Sequence, residues 1–346
     1  MSTLRAWLEI MRISNAPTVL SNGIAGGVLG ALAFDRSAEI AALDVRWLAV
    51  LSPLACYLGG MVLNDAFDAA IDARERPARP IPSGRISRGA AFAAGAALLL
   101  AGVGIAAATG PSPAIACAVL LALAVVAYNA IHALTAASIV LLAACRALAA
   151  LVPMCVFAGD WQAIAPSGAL LHPALLAAWT LLLSFLARSE AVSPPAGLAS
   201  CPSCGHLIKP DAARCSECGK TPNPAIAQTR MTRNEHLGLG LCVATFTSMG
   251  AACMALLPQP SASMARATSL GCGAVVLAFV FAPFLAIAAR RVRERRLAMP
   301  RYIGMLIATL AVIDTIALTA VGSALGVACA ACAAATLLFQ RRIAGS

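Results

Sequence analysis

Ten apolar runs, each long enough to cross about 30 Å of hydrocarbon, dictate a bundle of membrane-spanning helices. They lie near residues 17–34, 46–63, 89–109, 113–131, 136–157 and 169–187 and, after a break, near 237–256, 268–289, 303–320 and 323–339. Joining the last two would need a helix of about 55 Å, so a hairpin near Gly322 is expected and the count is nine to ten. The composition agrees: 60% of the residues are hydrophobic and 12% charged, against roughly a quarter charged in a globular domain. The net charge of +10 does not point to nucleic acid, because the arginines collect in short loops. Arg74, Arg76, Arg79, Arg85 and Arg88 follow the second run, Arg290, Arg291, Arg293, Arg295, Arg296 and Arg301 the eighth, and Arg341 and Arg342 close the chain. Those loops are expected on the cytoplasmic side of the cell's inner membrane. Basic flanks inside at both ends require an even number of spans, which favours ten. Met1 to Arg12 reads as an amphipathic lead-in rather than a cleaved signal peptide. Runs rich in Ala and Gly, such as Ala90 to Ala108, supply close-packing faces. Tyr128, Trp161 and Trp179 read first as packing or interface anchors.

One polar stretch interrupts this apolar chain: Asn64-Asp65-Ala-Phe-Asp68-Ala-Ala-Ile-Asp72, followed by Arg79-Pro-Ile-Pro-Ser-Gly84. In a helix Asn64, Asp68 and Asp72 line one face over about 12 Å. The alternative is a solvated helix end, but acids at the mouth of a span are costly to keep without a partner. Oxygen ligands in a row suit Mg²⁺ and leave room for phosphate oxygens. The two prolines forbid a regular helix after the strip and Gly84 permits a turn. The resulting basic return brings Arg79 back to hold phosphate from a second side. Arg146, in mid-span, reads as a diphosphate or acceptor contact or as a structural partner for a carboxylate. Asp314 reads equally as an interhelical hydrogen bonder or an acceptor contact, and His132 as an interfacial hydrogen bonder.

The Asn64-Asp-x-x-Asp68-x-x-x-Asp72 pattern with its Arg79-Pro-x-Pro-Ser-Gly tail resembles the first signature of the UbiA superfamily of intramembrane prenyltransferases. The resemblance extends more loosely to Arg12-x-x-Asn15-x-Pro17 with Asn22, to Tyr128-Asn129 and to Arg146. It implies an all-α bundle around a lipid-open cavity. In that family two Asp-rich motifs hold Mg²⁺ on a prenyl diphosphate, and the prenyl group passes to an acceptor, here an aromatic or polar lipid-like molecule. Carried over, Asn64, Asp68 and Asp72 are the metal-holding catalytic residues, Arg79, Arg146 and Asn22 bind diphosphate, and Tyr128 and Asp314 face the acceptor or line the wall. The second motif departs from the pattern: Arg188-Ser-Glu190 stands where Asp-x-x-x-Asp is usual, as in a bacterial branch of the family that this chain resembles. Glu190 then becomes a Mg²⁺ ligand and Arg188 a catalytic cation. The Lys that commonly follows the Tyr of the fourth span is absent. The weakened motif motivates an alternative, a non-catalytic binder or transporter of isoprenoid lipid that keeps the fold.

Nine of the thirteen cysteines lie singly in apolar runs, where Cys behaves as a small hydrophobe. The other four form two knuckles, Cys201-Pro-Ser-Cys204-Gly and Cys215-Ser-Glu-Cys218-Gly. Four thiolates at this spacing make a closed structural Zn²⁺ site, and a disulfide reading suits a cytoplasmic loop poorly. Both lysines of the chain, Lys209 and Lys220, fall in the same insert. The organisation expected is residues 1–190 as the first six spans, 191–232 as a cytoplasmic zinc ribbon with linkers, able to cap the site or recruit a protein partner, and 233–346 as the remaining three to four spans.

Overall fold

The computed structural model describes residues 3–33, 44–132, 135, 137–164, 168–191, 199–200, 207–208, 214, 285–290, 299–321 and 323–342. The first helix, α1 (Thr3–Ile10), is amphipathic, burying Ala6 and Ile10 while Leu4 and Leu8 stay exposed. A 3₁₀ turn, Ile13–Asn15, leads into α2 (Ala16–Ala33), whose Pro17 lies in the first turn, where a missing N–H costs nothing. A second 3₁₀ turn, Val45–Val50, is capped by Asp44 and runs into α3 (Leu51–Phe67). Then come α4 (Ala69–Glu75), α5 (Arg88–Thr109), α6 (Ser112–Ile131), α7 (Ser138–Ala158), the single turn α8 (Trp161–Ile164), α9 (Leu171–Ala191), α10 (Met299–Ala320) and α11 (Gly326–Arg342).

Among the described residues six helical segments are long and apolar enough to cross a membrane, and Leu171–Ala187 and Gly326–Gln340 are shorter apolar helices. These eight coincide with eight of the expected runs, and α10 and α11 are separate helices, as a hairpin near Gly322 requires. The expected runs 237–256 and 268–289 lie outside the described residues, apart from a helical stretch within 285–290. Leu100, Leu120 and Leu123 on α5 and α6 are 72%, 54% and 60% exposed, an outward apolar face that only a lipid surrounding satisfies. The chain is a multi-pass membrane protein.

The helix contact that positions the interior runs between α2 and α7. A Cβ on Gly26 would stand 2.1 Å from the carbonyl oxygen of Ala150, and one on Gly30 would stand 2.2 Å from that of Met154. Only glycine lets the backbones come this close. Gly26 faces Ala150 and Gly30 faces Met154, so numbers rise together and the two helices run parallel, as the first and fifth spans of an alternating bundle must. One turn earlier the same register brings Asn22 opposite Arg146. Trp179 closes α9 onto α10, its indole N–H donating to the Leu306 carbonyl at 3.0 Å.

Two short strands, β1 (Ala199–Ser200) and β2 (Leu207–Ile208), pair antiparallel, with Ala199 opposite Ile208 and Ser200 opposite Leu207. Cys201, Cys204, Cys215 and Cys218 lie outside the described residues.

Candidate active site

The acidic strip begins in the last turn of α3 and crosses a break at Asp68 into α4. The helix-type bonds continue through the break, Asp68 N–H to the Asn64 carbonyl at 3.0 Å and Asp72 N–H to the Asp68 carbonyl at 2.8 Å. Each acid meets a cation. Asp72, 4% exposed, accepts from Arg79 Nη1 at 2.7 Å. Asp68 Oδ2 lies 3.1 Å from His132 Nε2. Asp65, 5% exposed, has Oδ1 at 3.6 Å from both Arg12 Nη2 and Arg79 Nη1. At that distance neither donates a hydrogen bond, and the Asp65 oxygen is buried without one. Asn64 joins the two halves: its Oδ1 accepts from Arg12 Nη2 at 3.3 Å and its Nδ2 donates to Asn129 Oδ1 at 3.2 Å.

His132 is held on three sides. Its ring stacks on Tyr128 with centroids 5.3 Å apart. Nδ1 faces the Asn129 carbonyl at 3.2 Å while Nε2 faces the Asp68 carboxylate. Two acceptors on one imidazole call for two ring protons, so the cation is the favoured form. The bond to Asp68 raises the His132 pKa above its ordinary value, against the opposing effect of burial.

The basic return is pinned by its own backbone. Ser83 Oγ donates to the Arg79 carbonyl at 2.7 Å, Ile86 N–H donates to the Pro80 carbonyl at 3.1 Å, and Gly84 takes φ +75°. Ile81 and Ile86 are buried in one cluster with Ala6 and Ile10 of α1, and Arg85 Nη1 meets Glu9 Oε2 at 3.1 Å. Behind the return, Arg12 has φ 45° and ψ 49°, a left-handed conformation that a non-glycine residue adopts at a cost. Its carbonyl accepts from the Tyr57 hydroxyl at 2.9 Å, which holds the turn that sends the guanidinium to Asn64 and Asp65.

A second polar layer lies deeper. Arg146 Nη1 donates to Asn22 Oδ1 at 2.9 Å and lies 3.4 Å from Thr18 Oγ1. Asn22 Nδ2 donates to Asp314 Oδ2 at 2.7 Å, Ser21 Oγ donates to the same oxygen, and His172 Nε2 lies 2.8 Å from Asp314 Oδ1. Asp314 is fully buried.

The structure thus brings Asn64, Asp68, Asp72 and Arg79 together at the mouth, with Tyr128 beside them, and groups Arg146, Asn22 and Asp314 in the inner layer. Arg188 and Glu190 fall in the last turn of α9, and their side chains lie outside the described residues. Asp65, Arg12, Asn129, His132 and His172 belong to the two layers although the expected site omitted them. Arg12 and Asn129 carried a signal, since both fall in the looser resemblance, and so did His132, which stands near the position of the missing Lys. Oxygen donors dominate the acid cluster, Asp65 Oδ1 is buried without a hydrogen bond, and among the described residues no three His, Cys, Asp or Glu side chains stand close enough to hold a metal ion as arranged.

Residues 24–189 match the family described as UbiA prenyltransferase family. The digeranylgeranylglyceryl phosphate synthase of Methanopyrus kandleri is 35% identical over 103 residues, which are 30% of this chain and 35% of that protein. The enzyme of the same name from Korarchaeum cryptofilum is 36% identical over 105 residues, 30% of this chain and 34% of that one. The chain therefore matches about a third of the length of these relatives. A solved structure, from work on digeranylgeranylglyceryl phosphate synthase in membranes, covers 98% of this chain at 17% identity with a TM-score of 0.47. The acidic strip, its basic return and the inner Arg146 all lie inside the segment, residues 24–189, that is similar to the UbiA prenyltransferase family.

Proposed function

We propose that the protein is a Mg²⁺-dependent intramembrane prenyltransferase that moves an isoprenoid group from a prenyl diphosphate to a membrane-accessible acceptor. The observation that carries this reading is the matched set of charges at the mouth: Asp65, Asp68 and Asp72 against Arg12, Arg79 and His132. A metal diphosphate offers each member of that set a better partner. Asn64, Asp65, Asp68 and Asp72 would hold the metal, with Glu190 added from α9. When bound, it supplies charge stabilisation for the departing diphosphate. Arg79, Arg12 and His132, released from the acids, take phosphate charge, Arg through paired donors. Arg188 adds positive charge from the end of α9, and Arg146 with Asn22 from the inner layer. The allylic C–O bond breaks with its electron pair leaving on the diphosphate. The acceptor bonds to the freed carbon and loses its proton, and the apolar walls keep water from the allylic cation.

The relatives' name describes a glyceryl phosphate bearing two geranylgeranyl chains, so a polar lipid-like hydroxyl compound is the first acceptor class to try. The arginine-rich loops favour a cytoplasmic side for the site and the insert. The insert, residues 191–232, is read as a zinc ribbon in which Cys201, Cys204, Cys215 and Cys218 hold one Zn²⁺, a surface suited to a protein partner. The paired Cys-x-x-Cys spacing supports this reading.

The test uses purified full-length protein with Mg²⁺ and radiolabelled allylic diphosphates of graded length, with and without acceptors. Release of diphosphate with transfer of label is expected. Saturable binding without turnover across every chain length and acceptor would overturn the enzyme reading in favour of an isoprenoid-lipid binder or transporter.

A further inference from the structure

We propose that Asp314 is a positioning residue that aims the Arg146 guanidinium through the amide of Asn22, so that a partly buried cation is presented to an anionic ligand without being neutralised. The inference rests on the reading that Arg146 takes diphosphate charge. Asp314 is a fully buried carboxylate whose partners are Ser21, Asn22 and His172. Among the described residues it makes no direct ion pair with Arg146.

Asn22 stands between the two charges, its Nδ2 on Asp314 and its Oδ1 on Arg146. Turning the amide over would set a donor against the guanidinium and an acceptor against the carboxylate, so Asp314 fixes which way Asn22 faces. Thr18 is oriented in the same manner, since its hydroxyl donates to the Asn15 carbonyl at 2.8 Å and leaves a lone pair for Arg146. Both acceptors lie on Nη1. Among the described residues Nε and Nη2 of Arg146 make no hydrogen bond, and the side chain is only half-buried. The guanidinium is tethered at one corner by neutral oxygens, with its other donors open. A carboxylate in direct contact would cancel the charge that an anion needs. One residue away, Asp314 compensates it and leaves the donors free.

The experiment measures Mg²⁺-dependent binding of inorganic pyrophosphate to the full chain in nanodiscs, together with the melting temperature. Asp314→Asn should weaken binding about tenfold, the scale of loss when the partner that orients a ligand-holding group is removed. Arg146→Gln should weaken it at least as much, and the double variant no further, because both act through one guanidinium. The exchange Asn22→Asp with Asp314→Asn keeps net charge and volume but puts the carboxylate directly on Arg146. It should fold and still lose about tenfold in affinity, and parental binding by that exchange overturns the proposal. Additive losses in the double variant do the same. Parental binding by Arg146→Gln would instead remove Arg146 from the anion site, and the underlying reading with it.

Discussion

Asp65 is next to Asn64 in the chain and therefore points about 100° away from it around α3, out of the line through Asn64, Asp68 and Asp72. Its position between Arg12 and Arg79, with one oxygen lacking a hydrogen bond, makes it a carboxylate ready for a cation. Asp65→Asn should leave the fold intact and weaken Mg²⁺-dependent pyrophosphate binding about tenfold, and parental affinity by titration calorimetry would take Asp65 out of the site. Asp68→Ala should abolish that binding in protein that still elutes as one species. His132 gives a pH signature in metal-free protein. Its pKa is raised in the fold by Asp68, so its contribution is complete below the unfolded value near 6.5 and fades as pH rises through the raised one. His132→Gln should therefore cost about 1.5 kcal/mol at pH 5.5 and progressively less above neutrality, read from paired thermal melts. A cost independent of pH would show that the imidazolium is not the form that matters. Asp68 and Asp72 were legible in the sequence because acids are rare in an apolar chain. Asp65 was hidden by helical phase, and His132 because its partner is 64 residues away on another helix.

Helices were easier to read than their neighbours. Hydropathy and length place α2, α3, α5, α6 and α7 in the sequence, and glycine content marks their packing faces. Which faces meet is a tertiary fact: α2 lies on α7, its parallel companion four spans later, through Gly26 and Gly30. That contact sets the register for the inner polar layer. Gly26→Val should force α2 and α7 apart, with an overpacking cost of about 1–3 kcal/mol, and should weaken pyrophosphate binding although residue 26 touches no ligand. Gly104 on α5, where an added Cβ meets nothing within 4 Å, is the control, and Gly104→Val should change binding little. Equal losses at the two positions would refute the register argument. The strip itself was legible as a helix but its break at Asp68 was not, since nothing in Phe67-Asp68-Ala69 departs from helical composition.

At the scale of the molecule, the arginine-rich loops carry the expected orientation, and residues 191–232 differ in composition from the apolar runs on either side. Freshly reduced protein should contain about one zinc per chain, and metal analysis finding none would remove the ribbon. The Cys-x-x-Cys spacing made that expectation readable, whereas the relation of the insert to Arg188 and Glu190 depends on how α9 ends. The inner layer joins parts of the chain that are made at very different times. Arg146 follows Asn22 by 124 residues and Asp314 follows it by 292. At about 5–20 residues per second of synthesis, Asn22 waits roughly 15 to 60 s for its carboxylate. In the later part of that interval, once the fifth span has been made, the first and fifth spans can already lie together on Gly26 and Gly30, holding the amide and the guanidinium in place. The glycine seam can thus serve as a scaffold in time, holding a half-built polar layer together until α10 arrives to complete it.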